Sequence, residues 1–477
     1  MSDPAAAVLA IDQGTTSTRG LRLAADGSAT VRHAVTHAQH YPKPDWVEHD
    51  PADLLRSIDA CLEAAGPVRA VALDNQGESC LAWDAETLEP LSPVVVWQDS
   101  RTQSVVDALK RDGAEAEVMR RSGLPLDSYF SASKLAWLYQ TVPDAARLHA
   151  RGRLRLGTTD AFFLHRLTGR CVTDATTASR TSLMNIETLA WDPDLCRLFG
   201  VPLEALPPIV PTTGDFGTLM TEHGPVPVVT SIVDQQAALY GHGCRVAGDA
   251  KITFGTGAFA LMVTGDSPLR APERGLSPTV AWHRDGEAPQ YAIDGAVFCA
   301  SAAVNWARDL GLFRSFDEIN AFEGPSAVER GLVFVPALTG LACPHWVRKA
   351  RGAWLGLSLE TTAADMVRAV LEGVAFRAAE VLEAMGSLRP TGDTVSVDGG
   401  LTANPYFVQF LACALDRRIV VPAGAEVTAL GAARLAAEHV GLTIPARDTP
   451  VMVEPPAIPG SGGVRFQKAV SIVADWP

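Results

Sequence analysis

Short apolar runs, bounded by polar turns, recur along this chain and predict a sheet of buried strands with helices between them. The first run covers 6–11, and a second strand-like run at 20–23 follows a polar turn. A third strand near 30–39, a helix over 52–65 and a strand at 70–74 continue the pattern. Because strands that alternate with helices are typical of layered sheets, the pattern indicates an α/β fold.

The same pattern restarts in the second half of the chain. Further strands are predicted around 252 and at 259–263, 291–293, 394–397 and 418–421, with helices over 302–310, 364–385, 404–415 and 429–440. We therefore predict two α/β domains, 1–245 and 246–445, followed by a tail over 446–477 that is rich in proline and glycine.

A polar turn of small residues lies between the first two predicted strands and reads Asp12-Gln13-Gly14-Thr15-Thr16. Such a turn offers backbone N–H groups and hydroxyls to an anion, and an aspartate at a strand end can hold a divalent cation. Taken alone, it fits an ordinary polar hairpin equally well. A second turn, Gly255-Thr256-Gly257, lies between two strands about half a chain later. This repetition predicts a duplicated fold with a nucleotide in the cleft between its halves.

The amino-acid composition and the net charge argue against several classes of protein. Of its 477 residues, 47% are hydrophobic and 20% are charged, as in ordinary globular proteins. The net charge of −14, without long runs of lysine or arginine, argues against a nucleic-acid partner. The eight cysteines form no C-x-x-C pair, so we expect buried thiols. Since no apolar run approaches the ~18 residues that cross a bilayer, we expect no membrane partner and a cytoplasmic location.

Asp234 follows a predicted strand at 228–232 and precedes a helix of small residues. That position places its carboxylate at the strand end where α/β sheets bind ligands. Phosphoryl transfer needs a group that accepts the proton of the attacking hydroxyl and a metal that neutralises phosphate oxygens. Asp234 suits the first role and Asp12 the second, although Asp234 could also cap its helix. Asp398-Gly399-Gly400 begins either a ribose or phosphate site or a plain tight turn.

Several segments resemble the FGGY-family carbohydrate kinases, and most closely the glycerol kinases. They run in the family's order from about 8 to 440 and include Trp46-Val47-Glu48-His49-Asp50-Pro51, Val96-Trp97-Gln98, Asp234-Gln235-Gln236-Ala237-Ala238-Leu239, Val397-Asp398-Gly399-Gly400 and Gly352-Ala353-Trp354-Leu355-Gly356-Leu357. The resemblance implies two duplicated ribonuclease-H-like domains of the actin and hexokinase type around a central cleft. It also implies an enzyme that uses ATP and Mg²⁺ to phosphorylate a primary hydroxyl of a small polyol or sugar.

The resemblance also assigns roles to individual residues. It makes Asp234 the catalytic base and associates Asp12 and Asp234 with the metal. The nucleotide would be bound by Thr15, Thr16, Arg19, Gly255, Thr256, Gly257, Ser301, Asn305, Gly400 and Asn404. The substrate would be bound by Glu78, Trp97, Tyr129, Asp234, Gln235 and Phe259. The three aromatic residues of this last set have an alternative role in the core, where aromatic side chains beside strands usually pack.

Ser301 and Asn305 stand where glycerol kinases more often carry glycine and glutamine, and two further departures lie near the proposed substrate. Gly77 stands where the family has an arginine that contacts substrate hydroxyls, and Val233 replaces a glycine before the base. We expect the vacated space at Gly77 to admit one more hydroxymethyl unit. The substrate could thus be glycerol or a longer polyol or ketose, such as a tetritol or a sugar of the xylulose or ribulose type. A catalytically silent ATP-binding sensor is an alternative of another class, and a homodimer remains open as the assembly.

Overall fold

The computed structural model describes residues 6–424, 426–445, 449–456 and 462–476. The strands of the first half are β1 Ala7–Gln13, β2 Ser17–Ala24, β3 Ala29–Thr36, β4 Glu48–His49, β5 Ala70–Asn75, β6 Cys80–Asp84, β7 Val94–Val95, β8 Leu154–Thr158, β9 Thr173–Asp174, β10 Met184–Asn185, β11 Ala190–Trp191, β12 Ile209–Val210, β13 Thr218–Thr221 and β14 Gly224–Val233. Its helices are α1 Pro51–Ala64, α2 Gln103–Arg111, α3 Glu115–Ser122, α4 Ser131–Thr141, α5 Ala145–Ala150, α6 Thr159–Thr168, α7 Ala175–Ala178, α8 Pro193–Phe199 and α9 Asp234–Gly241.

The second half contributes fewer and longer elements. Its strands are β15 Ala250–Phe254, β16 Ala258–Gly265, β17 Ser277–Trp282, β18 Gln290–Val297, β19 Val333–Val335, β20 Ala353–Leu355, β21 Thr394–Gly399, β22 Arg418–Val421 and β23 Val451–Val453. Its helices are α10 Ser301–Asp309, α11 Ala363–Gly386, α12 Pro405–Leu415, α13 Val427–His439 and α14 Gly462–Asp475. No helix in the described part of the chain is long and apolar enough to cross a bilayer.

The two large sheets repeat one topology. The first has six strands in the order β13-β14-β5-β1-β2-β3, and the second has seven in the order β17-β18-β16-β15-β21-β22-β23. In the first, β1, β2 and β3 form an antiparallel meander, and β5 and β14 continue the sheet parallel to β1. In the second, β15, β16 and β18 form the meander, and β21 and β22 continue it in parallel. The predicted duplicated α/β fold is confirmed.

Helices α9 and α13 join the two halves through small residues. A Cβ added to Gly431 would lie 1.9 Å from the carbonyl oxygen of Ala237, and one added to Gly241 would lie 2.0 Å from that of Val427. The two helix backbones therefore touch with almost no side chain between them. One buried apolar cluster spans this contact and includes Val8 from the first half and Leu261 from the second. The small-residue segment after Glu426 thus has the packing role that its sequence indicates.

A third sheet in the first half, of order β4-β7-β6-β8, carries helices beside it. This part of the chain also supplies the loops around Trp97 and Tyr129, which reach back to the ends of the central strands. The site is therefore built where the inserted sheet and both large sheets meet.

Candidate active site

Three parallel strands end side by side and bring aspartates together. Asp12 near the end of β1 pairs with Asp74 near the end of β5. On the other side of β5, Val233 at the end of β14 pairs with Asn75, and Asp234 follows as the first residue of α9. Because all three strands run in the same direction, their carboxyl ends form one edge that carries Asp12, Asp74 and Asp234.

The surroundings of Asp234 favour its neutral form. Burial, followed by the charges of Glu78 and Asp12, raises the pKa of Asp234 to about 7. The backbone N–H of Gln235 donates to Asp234 Oδ1 at 2.6 Å, which opposes this rise. A carboxylate whose pKa lies near neutrality is well matched to accept a proton from a hydroxyl.

Asp12 and Asp74 form a buried carboxylate pair. Burial raises the pKa of Asp12, and burial together with the Asp12 charge raises that of Asp74. Asp12 and Asp74 share a hydrogen bond, and within the described chain no other donor reaches the oxygens of Asp74. Arg19 lies close, with Nη1 4.0 Å from Asp12 Oδ2 and 3.6 Å from Glu426 Oε2. The pair is short of positive charge, which suits a divalent cation.

Magnesium commonly uses one or two carboxylates and takes its remaining ligands from water and phosphate. Among the described residues, no group of three or more histidine, cysteine, aspartate or glutamate side chains forms a ready metal cage. Asp12 and Asp234, at strand ends that flank β5 on its two sides, therefore fit Mg²⁺ that arrives with a nucleotide better than a metal held by protein alone.

A cavity of about 220 Å³ opens at these strand ends. All six residues that the resemblance assigns to the substrate line it: Glu78, Trp97, Tyr129, Asp234, Gln235 and Phe259. Thr15 of the first turn lines it as well, and its Oγ1 accepts a hydrogen bond from Trp97 Nε1 at 2.9 Å. The rings of Trp97 and Tyr129 meet edge to face, with centroids 5.6 Å apart. The three aromatic residues are only partly buried, so they form a cavity wall instead of core packing.

Lys134 holds this aromatic wall from behind. Its buried Nζ donates to the carbonyl oxygens of Ser128 at 2.9 Å, Tyr129 at 2.7 Å and Trp97 at 3.4 Å. Because a buried ammonium is costly unless its donors are paired, these contacts hold the two aromatic loops together. The sequence alone did not locate Lys134 relative to the site.

Arg180 and Asp294 are cavity residues that the sequence did not identify. Arg180 Nε donates to Glu78 Oε1 at 2.7 Å, and Arg180 Nη2 lies 3.3 Å from Asp294 Oδ2. Glu78 sits in the turn after β5, whereas Asp294 belongs to β18 of the second half. The cavity wall is therefore built from both halves of the chain.

The two phosphate-type turns expose several of their residues. Thr16 of the first turn and Gly255 and Thr256 of the second are exposed. The N-terminus of α10 is tied to the second turn: the Ser301 N–H donates to the Gly255 carbonyl oxygen at 3.1 Å. Gly399 pairs with Phe254 across β15 and β21, so Gly400 lies beside this turn. A Cβ built on Gly400 would meet nothing within 4 Å, which leaves its backbone open to a ligand.

The two asparagines assigned to the nucleotide differ in their surroundings. Asn305 is exposed on α10, about one turn beyond Ser301. Asn404 is buried and caps α12: its Oδ1 accepts from the Phe407 N–H, and its Nδ2 donates to the Ile319 carbonyl oxygen, both at 2.8 Å. Its side chain is thus already used within the protein, unlike that of Asn305.

Two family models cover most of the chain. The N-terminal domain of the FGGY family of carbohydrate kinases matches residues 7–241, and the C-terminal domain of the same family matches 250–439. A glycerol kinase of Alkalilimnicola ehrlichii is 45% identical over 450 residues, which cover 91% of this chain and 90% of that protein. A glycerol kinase of Thermus brockianus is 44% identical over 439 residues, covering 89% and 88%.

Solved structures agree with these matches. Plasmodium falciparum glycerol kinase with ADP superposes with a TM-score of 0.91 at 29% identity, covering 99% of both chains. Xylulose kinase from Lactobacillus acidophilus shares the fold, with a TM-score of 0.85 at 22% identity over 98% of this chain and 97% of that one. Two family domains in sequence order, on two sheets of repeated topology, leave one conclusion: the chain belongs to the FGGY family of carbohydrate kinases.

Proposed function

We propose that this carbohydrate kinase transfers a phosphoryl group from ATP to a primary hydroxyl of glycerol or of a polyol of similar size. The relatives named glycerol kinase, 44–45% identical over most of the chain, favour this substrate class. The cavity supports it, because about 220 Å³ is below the ~300–1,000 Å³ of pockets for drug-sized ligands. The observation that carries the proposal is the position of Asp234, which lines this cavity together with Thr15 of the first turn.

In this proposal Asp234 accepts the proton of the attacking hydroxyl. Glu78 and Gln235 bind hydroxyls of the substrate, while Trp97, Tyr129 and Phe259 pack against its carbon atoms and exclude water. Exclusion of water matters because a kinase that admits it hydrolyses ATP. The enzyme uses ATP with Mg²⁺, and Asp12 and Asp234 would hold the ion. When bound, Mg²⁺ supplies charge neutralisation for the phosphate oxygens.

The remaining assigned residues would bind the nucleotide. Hydroxyls and backbone N–H groups of the two turns are suited to phosphate oxygens. These two turns contribute Thr15, Thr16, Gly255, Thr256 and Gly257, with Arg19 nearby. Ser301, Asn305 and Gly400 would contact the adenosine, and Asn404, which caps the next helix, would support Gly400.

The test is phosphorylation measured across a panel of glycerol, erythritol, xylitol, xylulose and ribulose with ATP and Mg²⁺. We expect glycerol to be the preferred acceptor. Asp234→Asn should lower kcat by ~10²–10⁴ while ADP binds within several-fold of wild type, because the amide keeps the shape but accepts no proton. Asp266→Asn, at an exposed position, is the matched control. ATP binding without turnover of any acceptor would instead support a sensor, and preference for a longer acceptor would refute the glycerol assignment.

Three further proposals rest on the sequence. They are a cytoplasmic location, a homodimer, and the division into domains 1–245 and 246–445 with a tail from 446. Light scattering tests the assembly, since a single-chain mass at micromolar concentration would exclude the dimer. Separate expression of 1–245 tests the division, because an independent domain should unfold cooperatively.

A further inference from the structure

Neighbouring residues hold the guanidinium of Arg180 in a fixed position at the cavity wall. The residue is 6% exposed. Its Nε–Glu78 Oε1 contact of 2.7 Å comes from the first half of the chain, and its Nη2–Asp294 Oδ2 contact of 3.3 Å comes from the second. The ring of Phe130 lies 5.4 Å from the guanidinium carbon. Held on several sides, the group loses little freedom when a ligand binds, which favours affinity.

The positive charge of Arg180 distinguishes it from the other ionisable residues that line the cavity. Glu78, Asp234 and Asp294 line the cavity as carboxylates, and Arg180 is the one cationic side chain among the described lining residues. A polyol hydroxyl both donates and accepts. The carboxylates can only accept while ionised, so a charged donor for the hydroxyl oxygen must come from Arg180.

Arg180 also has N–H groups that are available to a ligand as hydrogen-bond donors. A guanidinium carries five N–H donors. Within the described residues, hydrogen bonds start from Nε and Nη2, and none starts from Nη1. Nη1 is also absent from the fully buried, unpartnered atoms of that part of the chain. A hydroxyl oxygen that enters the cavity can therefore take up a donor that the protein leaves free.

Gly77 has no side-chain donor, and Val233 lies where a side chain at this position would begin. A Cβ built on Gly77 would lie 2.8 Å from Val233 Cγ2. Val233 is fixed in turn, since its N–H donates to Thr176 Oγ1 at 3.0 Å. Thr176 lies on α7, and Arg180 follows two residues after that helix ends. A side chain at position 77 would thus meet Val233 at its first atom, and α7 supports both Val233 and Arg180.

We propose that Arg180 binds a substrate hydroxyl as its charged hydrogen-bond donor, paired with Glu78 as the acceptor for the same or the neighbouring hydroxyl. This inference rests on the proposed polyol kinase activity and names a residue that sets its specificity. Recognition by the pair requires a hydroxyl that is not the one phosphorylated, so acceptors that lack it gain nothing from Arg180.

The experiment compares glycerol with 1,2-propanediol and 1,3-propanediol, each of which lacks one hydroxyl, in wild type, Arg180→Met and Arg180→Lys. In Arg180→Met we expect kcat/KM for glycerol to fall roughly 10–100-fold, the effect of losing one charged hydrogen bond. The diol that lacks the contacted hydroxyl should change less than about threefold, so discrimination between it and glycerol should collapse. Arg180→Lys keeps the charge but not the planar fork, and should give an intermediate loss.

Outcomes for the proposed function and for this inference are separable. If wild type does not phosphorylate glycerol, the proposed function fails. If wild type does, an equal loss for glycerol and both diols in Arg180→Met shows that Arg180 only supports the fold, which overturns the inference. Should Arg180→Met not fold, as judged by its thermal transition, Arg180→Lys decides: unchanged discrimination between glycerol and both diols overturns the inference.

Discussion

Lys251 Nζ donates to Gln235 Oε1 at 2.6 Å and so ties the second half of the chain to the residue that follows Asp234. The same ammonium donates to Thr253 Oγ1 at 3.0 Å. Burial lowers the pKa of Lys251, and the nearby charges of Asp398 and Asp234 oppose this shift. Asp398 directly precedes the glycines beside the second turn. A buried lysine thus links the proposed substrate side of the cleft to the proposed nucleotide side.

Lys251→Met should weaken both function and stability. Gln235 Oε1 would lose its donor, and because Gln235 is only partly buried, we expect a cost of about 1 kcal/mol, that of an ordinary hydrogen bond. We expect a lower unfolding free energy and a KM for the polyol raised several-fold, with kcat reduced. Steady-state kinetics and denaturant unfolding measure these effects, and Lys349→Met at an exposed position serves as control. Unchanged polyol KM and kcat would show that Lys251 does not position Gln235.

The pKa of Asp234, about 7, predicts how pH changes the stability of the metal-free protein. Its ordinary value is 3.8, so the fold favours the protonated form. That stabilisation is fully present below pH 3.8 and is lost as pH rises through 7. The Asp234→Asn side chain does not ionise. The transition temperature of this variant, relative to that of wild type, should therefore rise between about pH 4 and pH 7, and the difference should stay constant above pH 8. Scanning fluorimetry with a chelator measures this, and a difference independent of pH would contradict the shift.

Gly77→Ala should be destabilising because of Val233. The φ of Gly77 lies outside the left-handed region, so the backbone accepts alanine, but the new Cβ would lie 2.8 Å from Val233 Cγ2. Overpacking of this kind typically costs about 1–3 kcal/mol. The double variant Gly77→Ala with Val233→Ala should recover much of the loss, which denaturant unfolding of all four proteins measures. A purely additive cycle would show that the two positions are not coupled. By the same reasoning, Gly77→Arg needs Val233→Gly to be accommodated.

Gly431→Ala should separate α9 from α13. The added methyl would meet the Ala237 carbonyl oxygen at 1.9 Å and the Gly241 nitrogen at 2.7 Å. Neither backbone atom can move alone, so we expect a loss of about 3 kcal/mol or more in unfolding free energy. Gly386→Ala near the end of α11 is the control, because its Cβ would meet only Thr391 Cγ2 at 3.8 Å. Equal stability of the two variants would disprove the tight helix contact.

The central strands of the two large sheets could be predicted from the sequence, but the edge strand β17 and short helices such as α3 could not. β1 and β5 are buried along their whole length, so their apolar runs carry a clear signal. The pattern does not predict α3, because its eight residues are mostly polar and only Val118 and Ser122 are buried. Nor does it predict β17, since Pro278 is typical of a loop. This strand lies at the edge of its sheet, where a missing N–H is tolerated.

The residues of the candidate site also fall into two groups, those that the sequence could assign and those that it could not. Residues within family motifs could be assigned from the sequence, and the fold places the substrate set around one cavity. Arg180 and Asp294 escape such assignment because their partners are distant in sequence: Arg180 and Glu78 are separated by 102 positions, and Arg180 and Asp294 by 114. Asp74 escapes it because it directly follows the apolar residues of β5, and that run predicts only a buried strand. Only the register of β1 against β5 places it beside Asp12.

The backbone contact between α9 and α13 has a mechanical consequence. Helices that meet through glycine and alanine have no interlocked side chains to release, so they can rotate against each other at little cost. Asp234 begins α9 and therefore lies on one of the two helices that make this contact. Small-angle scattering should show a smaller radius of gyration with an ATP analogue plus glycerol, and an unchanged radius would argue against this motion. The contact would then act as a pivot, with the proton acceptor nearly stationary while the nucleotide side swings towards it.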